Sequence, residues 1–346
     1  MAFRSTWGGP LGRRATVRLL LVGVVAAGSL GTGLARAETD RSPPKSAHAH
    51  QWPAHPIDLE LLLAYHDFEI VGVKGGVGGV MGVKRVELRF PDGQKIPVKW
   101  KAAPAGDADG WNNTPRKEIA AYVIQKWFLD PVDFVVPTTV VRCIPLDQYG
   151  AISSRKTRPN IAGTSCVTGA FSAWLSDVTV PETLHDEERF ASDPIYAHHL
   201  ADFNLLAYLI EHEDGRGGNI LVATDDDHRR VFAVDNGVAF GAWVKNYWVR
   251  NWNKVRVAAL RKQSIDRLRQ IKESQLEALG VLSEHRAGED GVLRPVPFSA
   301  NADPDHGSRV AEGWLQLGLT EDEIEDIEER LKELIEAVDS GEQPVF

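Results

Sequence analysis

The chain has few cysteines and no excess of positive charge. Cys143 and Cys166 are the only cysteines among 346 residues, so a disulfide-rich scaffold is excluded and at most one internal disulfide can form. The even count permits that pair, but the sequence leaves the paired and the free states equally open. Acidic residues outnumber basic ones by 48 to 39. This balance disfavours nonspecific binding to nucleic acid or to anionic lipid.

Long apolar runs are absent after the first 37 residues. Near the N-terminus, arginines precede an apolar stretch at residues 19–34, which ends in Ala35-Arg36-Ala37. This pattern predicts a secretory signal peptide, residues 1–37, that is cleaved after Ala37. A membrane anchor is the alternative, but the run is short for a spanning helix and rich in glycine. We therefore expect an exported protein, periplasmic or extracellular, with no integral membrane segment after cleavage and a net charge of −14 from 34 basic and 48 acidic residues.

Internal repeats are absent as well, and the chain divides by composition. Residues 38–56 are rich in proline, serine and histidine without periodicity, which predicts a flexible leader. His48, His50 and His55 in this leader could bind a metal ion, but nothing in the sequence fixes their geometry. We expect two lobes of one α+β fold after the leader, at residues 57–145 and 146–346.

The first lobe shows strand patterns around a glycine-rich turn. Residues 68–73, 83–90 and 96–102 are strand-like, and residues 75–82 contain five glycines, among them Gly75, Gly76, Gly78 and Gly79. Such a turn lets backbone N–H groups approach phosphate closely. No Gly-Lys-Ser/Thr follows, so a Walker loop is excluded, and a flexible connector is an equally good interpretation. A helix at residues 116–128 and a strand at 135–142 complete the expected lobe.

The second lobe carries the clearest chemical pattern. Asp214 is followed after four residues by Asn219, and Asp235-Asn236-Gly237 comes sixteen residues later. Two apolar runs, 220–222 and 231–234, flank a polar turn, which predicts a hairpin with Asp214, Asn219 and Asp235 at one mouth. Three oxygen-bearing side chains in one volume suit Mg²⁺ or Mn²⁺ bound to ATP phosphates. We expect Asp214 to be the catalytic base and Asn219 and Asp235 to be metal ligands; capping residues in an ordinary loop are the alternative.

Further candidates surround this pattern. Lys99 and Lys101 alternate with Val98 and Trp100, so both lysines should project from one face of their strand. One of them can neutralise phosphate charge and pair with Glu118; we prefer Lys101 and expect the other to be a solvated strand lysine. His212 has the His-x-Asp spacing to Asp214, and bracing of the loop is its expected role.

The remaining elements are expected to be helical. An apolar helix at residues 200–210 should lead into the Asp214 loop, and amphipathic helices are expected at residues 254–282 and 320–338. The last of these opens with a capping box at Thr320.

Several segments resemble known kinases. Residues 231–240, Val-Phe-Ala-Val-Asp-Asn-Gly-Val-Ala-Phe, are similar to the metal-binding segment of type II phosphatidylinositol 4-kinases. Residues 118–122 and 136–142 resemble the secretory-pathway protein and glycan kinases, which share a superfamily with the lipid kinases. The resemblance implies a two-lobed protein-kinase-like fold, and it favours Lys101 because the strand lysine in these families tends to follow an aromatic residue. Asp214-Gly215-Arg216 departs from the usual Asp-Arg-His or Asp-Arg-Gly, and the lipid-specificity elements cannot be matched.

These observations predict an ATP- and metal-dependent kinase that acts on a hydroxyl acceptor in a protein, glycan or lipid. Export makes the supply of ATP a difficulty, which keeps open a second hypothesis, a pseudokinase that binds nucleotide or a partner without turnover. A third possibility, transfer of an AMP group, has no residue in its favour.

Overall fold

In the computed structural model, the described residues are 51–75, 83–104, 115–153, 157–216, 218–224, 230–241 and 252–346. The expected signal peptide and most of the leader lie outside them, as do Gly76, Gly78 and Gly79. Within the described part, no helix combines the length and the apolar character needed to cross a bilayer.

The first half of the chain forms an antiparallel sheet with a helix packed against it. The sheet has the order β1-β2-β3-β5-β4. Its strands are β1 (Glu69–Gly75), β2 (Lys84–Arg89), β3 (Lys95–Ala102), β4 (Thr139–Pro145) and β5 (Cys166–Ala173). The predicted strands at 68–73, 83–90 and 96–102 are thus confirmed as β1 to β3, because alternating side chains of β2 and β3 enter an apolar core.

Two differences from the sequence prediction concern this sheet. The strand expected at residues 135–142 begins only at Thr139, because the N–H groups of Val135 and Val136 donate to the Gln125 side chain, each at 2.8 Å. Strand β5, which lies between β3 and β4 in the sheet, comes after the expected lobe boundary at residue 145. All eight of its residues are buried, so it lacks the alternation by which a half-exposed strand is recognised.

Helices occur in both halves of the chain. In the first half these are α1 (Pro56–Tyr65), α2 (Pro115–Gln125) and the short α3 (Leu146–Tyr149). Helix α2 matches the predicted 116–128 helix, and all but one of its eleven residues are buried. The second half begins with the short β6 (Val178–Thr179) and α4 (Glu187–Ser192), followed by α5 (Pro194–Leu209).

Helix α5 begins before the predicted 200–210 segment because Asp193 caps it and Pro194 starts it. The predicted hairpin follows as β7 (Ile220–Ala223) and β8 (Val231–Ala233), with Ile220 opposite Ala233. Strand β6 pairs with β7, so the hairpin belongs to a three-stranded sheet.

The prediction of a single helix at residues 254–282 is wrong. The structure has α6 (Lys262–Leu268), α7 (Glu273–Glu277) and a 3₁₀ turn at Ala278–Gly280. The N-terminal part of the segment forms no helix, because Leu260 exchanges backbone hydrogen bonds with Pro344 and Phe346. This long-range pairing overrides the local helical pattern.

A four-stranded sheet then precedes the last helix. Its order is β10-β9-β12-β11, with β9 (Ser283–Ala287), β10 (Leu293–Pro295), β11 (Ser308–Ala311) and β12 (Trp314–Leu317). Sequence reasoning missed this sheet. Helix α8 (Glu321–Asp339) confirms the predicted 320–338 helix, and Thr320 and Glu323 form the expected capping box.

Candidate active site

Two of the three lysines of β3 point toward one carboxylate. Val98 and Trp100 are buried in the core on the opposite face, so the alternation of the strand directs Lys99 and Lys101 to the other side. The Nζ atoms of Lys101 and Lys99 lie 3.2 and 3.3 Å from Oε1 of Glu118. Their side chains are only 3% and 14% exposed. The expectation that one lysine is solvated is therefore wrong.

Asp235 joins this charged group from the end of the hairpin. Lys101 Nζ donates to Asp235 Oδ1 at 3.0 Å, and Lys99 Nζ donates to the Val234 carbonyl at 2.8 Å. Burial alone would raise the pKa of Asp235, but Lys99 and Lys101 hold it well below its ordinary value. Burial likewise works to lower the pKa of Lys101, yet Glu118 and Asp235 raise it on balance. Asp235 is thus a carboxylate and Lys101 an ammonium at neutral pH.

Helix α2 also binds the backbone beside Asp235. The second carboxylate oxygen of Glu118, Oε2, accepts from the Asn236 N–H at 3.1 Å. Lys117, the neighbouring residue on α2, donates to the Ala239 carbonyl at 2.8 Å. Two consecutive helix residues therefore fix the segment that follows β8.

The loop after α5 brings Asp214 and Asn219 to the same end of the hairpin. The Asn219 side-chain amide donates to Asp214 Oδ2 at 2.8 Å and to the Asp214 carbonyl at 3.1 Å. The Asn219 carbonyl accepts from the Val234 N–H at 2.9 Å, which places Asn219 beside the residue that precedes Asp235. Asp214 also lies 3.1 Å from Nε of Arg216. The structure thus places the three predicted oxygen-bearing side chains at one end of the hairpin.

His212 lies behind this loop. Its side chain is buried, and its Nε2 lies 3.3 Å from the Asp235 carbonyl, to which it donates. Burial lowers the pKa of His212, so the ring is neutral at physiological pH. This contact fits a bracing role for His212.

A cleft of about 710 Å³ opens between the five-stranded sheet and the hairpin. Lys99, Asn219 and Asp235 line it, together with the segment 172–180 that leaves β5. Arg85 of β2 enters the same cleft and stacks its guanidinium over the Trp174 ring at 4.7 Å. Sequence reasoning missed Arg85, although the alternation along β2 could have placed it. No local signal marks Lys117 or Trp174.

The glycine turn is only partly described. Gly75 closes β1 opposite Lys84, and the expected phosphate-binding residues Gly76, Gly78 and Gly79 lie outside the described residues. Another glycine, Gly169 of β5, is required by packing: a Cβ there would lie 2.4 Å from the Lys101 carbonyl. The close approach of β5 to β3 beside Lys101 therefore needs glycine.

Together the sheet, the buried α2 with its glutamate, and the Asn219–Asp235 hairpin define a two-lobed, protein-kinase-like α+β fold. The chain is similar to a solved structure of hydra Fam20 with sugar, at 17% identity and a TM-score of 0.52, over 83% of this chain and 91% of that one. It also matches the Golgi casein kinase, at 13% identity and a TM-score of 0.47, over 82% and 74% of the two chains. The same kinase with Mn/ADP bound matches at 14% identity and a TM-score of 0.47, over 82% and 75%.

No protein-family model and no curated protein sequence matches the chain. At 17% identity, the likeness to hydra Fam20 establishes the fold.

Proposed function

We propose that this protein is a metal-dependent kinase that transfers the γ-phosphoryl group of ATP to a hydroxyl group of a protein or glycan. One observation carries the proposal: Asp214, Asn219 and Asp235 lie at one end of the hairpin beside a cleft, and a Lys–Glu pair faces them from the sheet. The parts required for phosphoryl transfer are positioning and charge-stabilising groups of this kind.

Asp235 and Asn219 are the proposed ligands for Mg²⁺ or Mn²⁺. The Asn219 amide nitrogen donates to Asp214, so its amide oxygen remains as an acceptor. Asp235 supplies a carboxylate that its lysine neighbours keep ionised. This all-oxygen donor set fits a hard divalent ion. When bound, the ion would neutralise charge on the phosphates of ATP.

Asp214 is the proposed catalytic base. Its hydrogen bond from Asn219 and its contact with Arg216 orient the carboxylate at the mouth of the hairpin. In the reaction, Asp214 would accept the proton of the acceptor hydroxyl as the new P–O bond forms. His212 would hold the loop by its contact with the Asp235 carbonyl.

Lys101 is the proposed phosphate-binding lysine. Gly75 lies opposite Lys84, Lys84 lies opposite Trp100, and Lys99 lies opposite Arg85, the next residue of β2. Lys101 follows Trp100 and is therefore the lysine nearer to Gly75 along the strands, which supports the proposal that backbone N–H groups of Gly75, Gly76, Gly78 and Gly79 would meet the phosphates beside it.

Three further proposals concern the family relationship of the chain, its export, and its division into two lobes. Residues 231–240 support kinship with the superfamily that includes the type II phosphatidylinositol 4-kinases. The N-terminal pattern supports a signal peptide at residues 1–37 and export of the mature chain. We keep the division into an N-lobe and a C-lobe, with β5 assigned to the N-lobe because it pairs with β3 and β4.

The test is ATP turnover by the mature chain with Mn²⁺ or Mg²⁺, with radiolabelled γ-phosphate and a panel of protein and glycan acceptors. We expect label transfer by the wild-type protein and a loss on the order of 10²–10⁴-fold in Asp214→Ala, because the base is removed. The matched control is Asp92→Ala, in the exposed turn between β2 and β3. Nucleotide binding without any turnover in the wild type would contradict the proposal and identify a pseudokinase.

A further inference from the structure

A second cluster of ligand-type side chains lies outside the candidate active site. Asp133 ends the 3₁₀ turn Pro131–Asp133, and His198 and His199 lie side by side on α5. One ligand atom from each of these three residues lies within 4.8 Å of the others. We propose that this cluster is a binding site for a first-row divalent metal ion of the zinc type. The inference is independent of the proposed kinase activity.

Two distances from the His198 imidazole approach those between donors in a metal coordination shell. His198 Nε2 lies 3.2 Å from Oδ2 of Asp202 and 3.9 Å from Oδ2 of Asp133. Four donors placed about 2.0–2.1 Å from a zinc ion lie about 3.3–3.4 Å from one another. The His198–Asp202 pair therefore already has nearly the required separation, the His198–Asp133 pair is slightly wider, and His199 lies within 4.8 Å of His198 and Asp133.

The hydrogen bonding of His198 supports the same assignment. Its Nε2 is shielded from solvent and makes no hydrogen bond with the described residues, although two carboxylates lie close to it. A buried polar atom in that position is costly unless it has a partner. An ion held between the imidazole and the carboxylates would supply one. Imidazole nitrogen with carboxylate oxygen is a donor set suited to Zn²⁺ and its neighbours.

Charge at the cluster also favours a cation. Asp133 and Asp202 carry two negative charges, and Arg261 Nη1 contacts both, at 3.3 and 3.0 Å. One negative charge remains when both imidazoles are neutral. Ser264 donates to the other oxygen of Asp202 at 2.6 Å and so holds that carboxylate in place. Arg261 competes with a metal ion for the same oxygens, so its removal should strengthen metal binding.

Cobalt(II) is the direct probe, because its visible absorption reports a tetrahedral site. The parent is the full chain with Asp235→Ala and with His48, His50 and His55 replaced by alanine, which removes the proposed active-site ligand and the leader histidines. We expect this parent to bind one Co²⁺ per chain, displaced by Zn²⁺. His198→Ala or Asp133→Asn should weaken binding by more than about 100-fold, and Arg261→Gln should tighten it.

His306→Ala is the matched control, because His306 also contacts an aspartate, Asp303, outside the cluster; it should bind as the parent does. Absence of stoichiometric Co²⁺ and Zn²⁺ binding in the folded parent would overturn the proposal, whatever the variants do. Binding that survives both ligand substitutions, or that weakens in Arg261→Gln, would also contradict it. Thermal unfolding with Zn²⁺ and with chelator checks folding, and the parent should gain stability from Zn²⁺.

Discussion

At the residue scale, four charged side chains share a small volume in the candidate site. Lys99 and Lys101 face Glu118 and Asp235, so their formal charges cancel. Each buried charge therefore depends on the others, and removing one partner leaves an opposite charge uncompensated. The two lysines are nevertheless not equivalent, because Lys101 is more deeply buried and donates to both carboxylates.

This difference predicts unequal effects of Lys101→Met and Lys99→Met. We expect Lys101→Met to reduce kcat/KM for ATP by about 10²–10³-fold, because the proposed phosphate contact is lost and only Lys99 remains beside the two carboxylates. Lys99→Met should have a smaller effect, since Lys101 still bridges Glu118 and Asp235. Steady-state kinetics at several ATP concentrations measures both.

The control on the same strand is Lys95→Met, whose side chain is exposed and pairs only with Glu87 among the described residues. It should leave kcat/KM unchanged. A greater loss in Lys99→Met than in Lys101→Met would reverse the assignment of the phosphate-binding lysine.

At the element scale, α8 and α2 are joined by a buried ion-pair group. Glu323 lies at the third position of α8, where it completes the capping box with Thr320. The same carboxylate binds Arg116 and lies 3.5 Å from Lys117 of α2. Because Lys117 also holds the Ala239 carbonyl, the first turn of α8 supports the helix that carries Glu118.

Glu323→Gln should therefore destabilise the protein by about 3–5 kcal/mol, the usual cost of leaving buried charges without their partner. Burial works to raise the pKa of Glu323, but Arg116 and Lys117 lower it below its ordinary 4.5. A carboxyl whose pKa is lower in the folded state stabilises the fold above pH 4.5, and that contribution is lost as the pH falls below this value. Urea unfolding between pH 7 and pH 3 measures both effects.

The variant should show a weaker loss of stability with acid than the wild type. Glu328→Gln on the exposed face of α8, where Glu328 pairs with Lys332, should cost no more than about 0.5 kcal/mol. Equal effects of the two substitutions would refute the supporting role of Glu323.

At the same scale, some strands and helices could be predicted from the sequence and others could not. Strands β2 and β3 and helix α8 follow from local signals: alternation, turn residues and a capping box. Strand β5 does not, because it is buried on both faces, and the segment before α6 is held by distant Pro344 and Phe346. For the candidate site, spacing predicted Asp214, Asn219 and Asp235, whereas Lys117 and Trp174 act through tertiary contacts that no local pattern marks.

At the scale of the whole molecule, a disulfide joins two neighbouring strands of the five-stranded sheet. Cys143 of β4 and Cys166 of β5 are bonded, with Cα atoms 5.4 Å apart, which settles the alternative that the sequence left open. Both cysteines are buried in an apolar cluster that includes Ile119 of α2 and Leu315 of β12. The bond therefore lies where the five-stranded sheet, α2 and the four-stranded sheet meet.

Reduction of this bond should lower the free energy of unfolding by about 3 kcal/mol, the chain-entropy value for a loop of this length; the two cysteines are 23 residues apart. Urea unfolding with and without reductant measures the change. The double variant Cys143→Ala, Cys166→Ala should be insensitive to reductant. Coincident unfolding curves for the oxidised and reduced wild type would contradict the structural role of the disulfide.

The central claim is that the cleft binds a nucleotide through a divalent ion held by Asp235. Asp214 is needed for phosphoryl transfer but not for nucleotide binding. Calorimetric titration of ADP into residues 38–346 of the chain, with and without Mn²⁺, tests it most directly. The account predicts Mn²⁺-dependent binding in the wild type and in Asp214→Ala, and loss of the Mn²⁺ dependence in Asp235→Ala. Absence of nucleotide binding in the folded wild type, or unchanged Mn²⁺-dependent binding in Asp235→Ala, would contradict it.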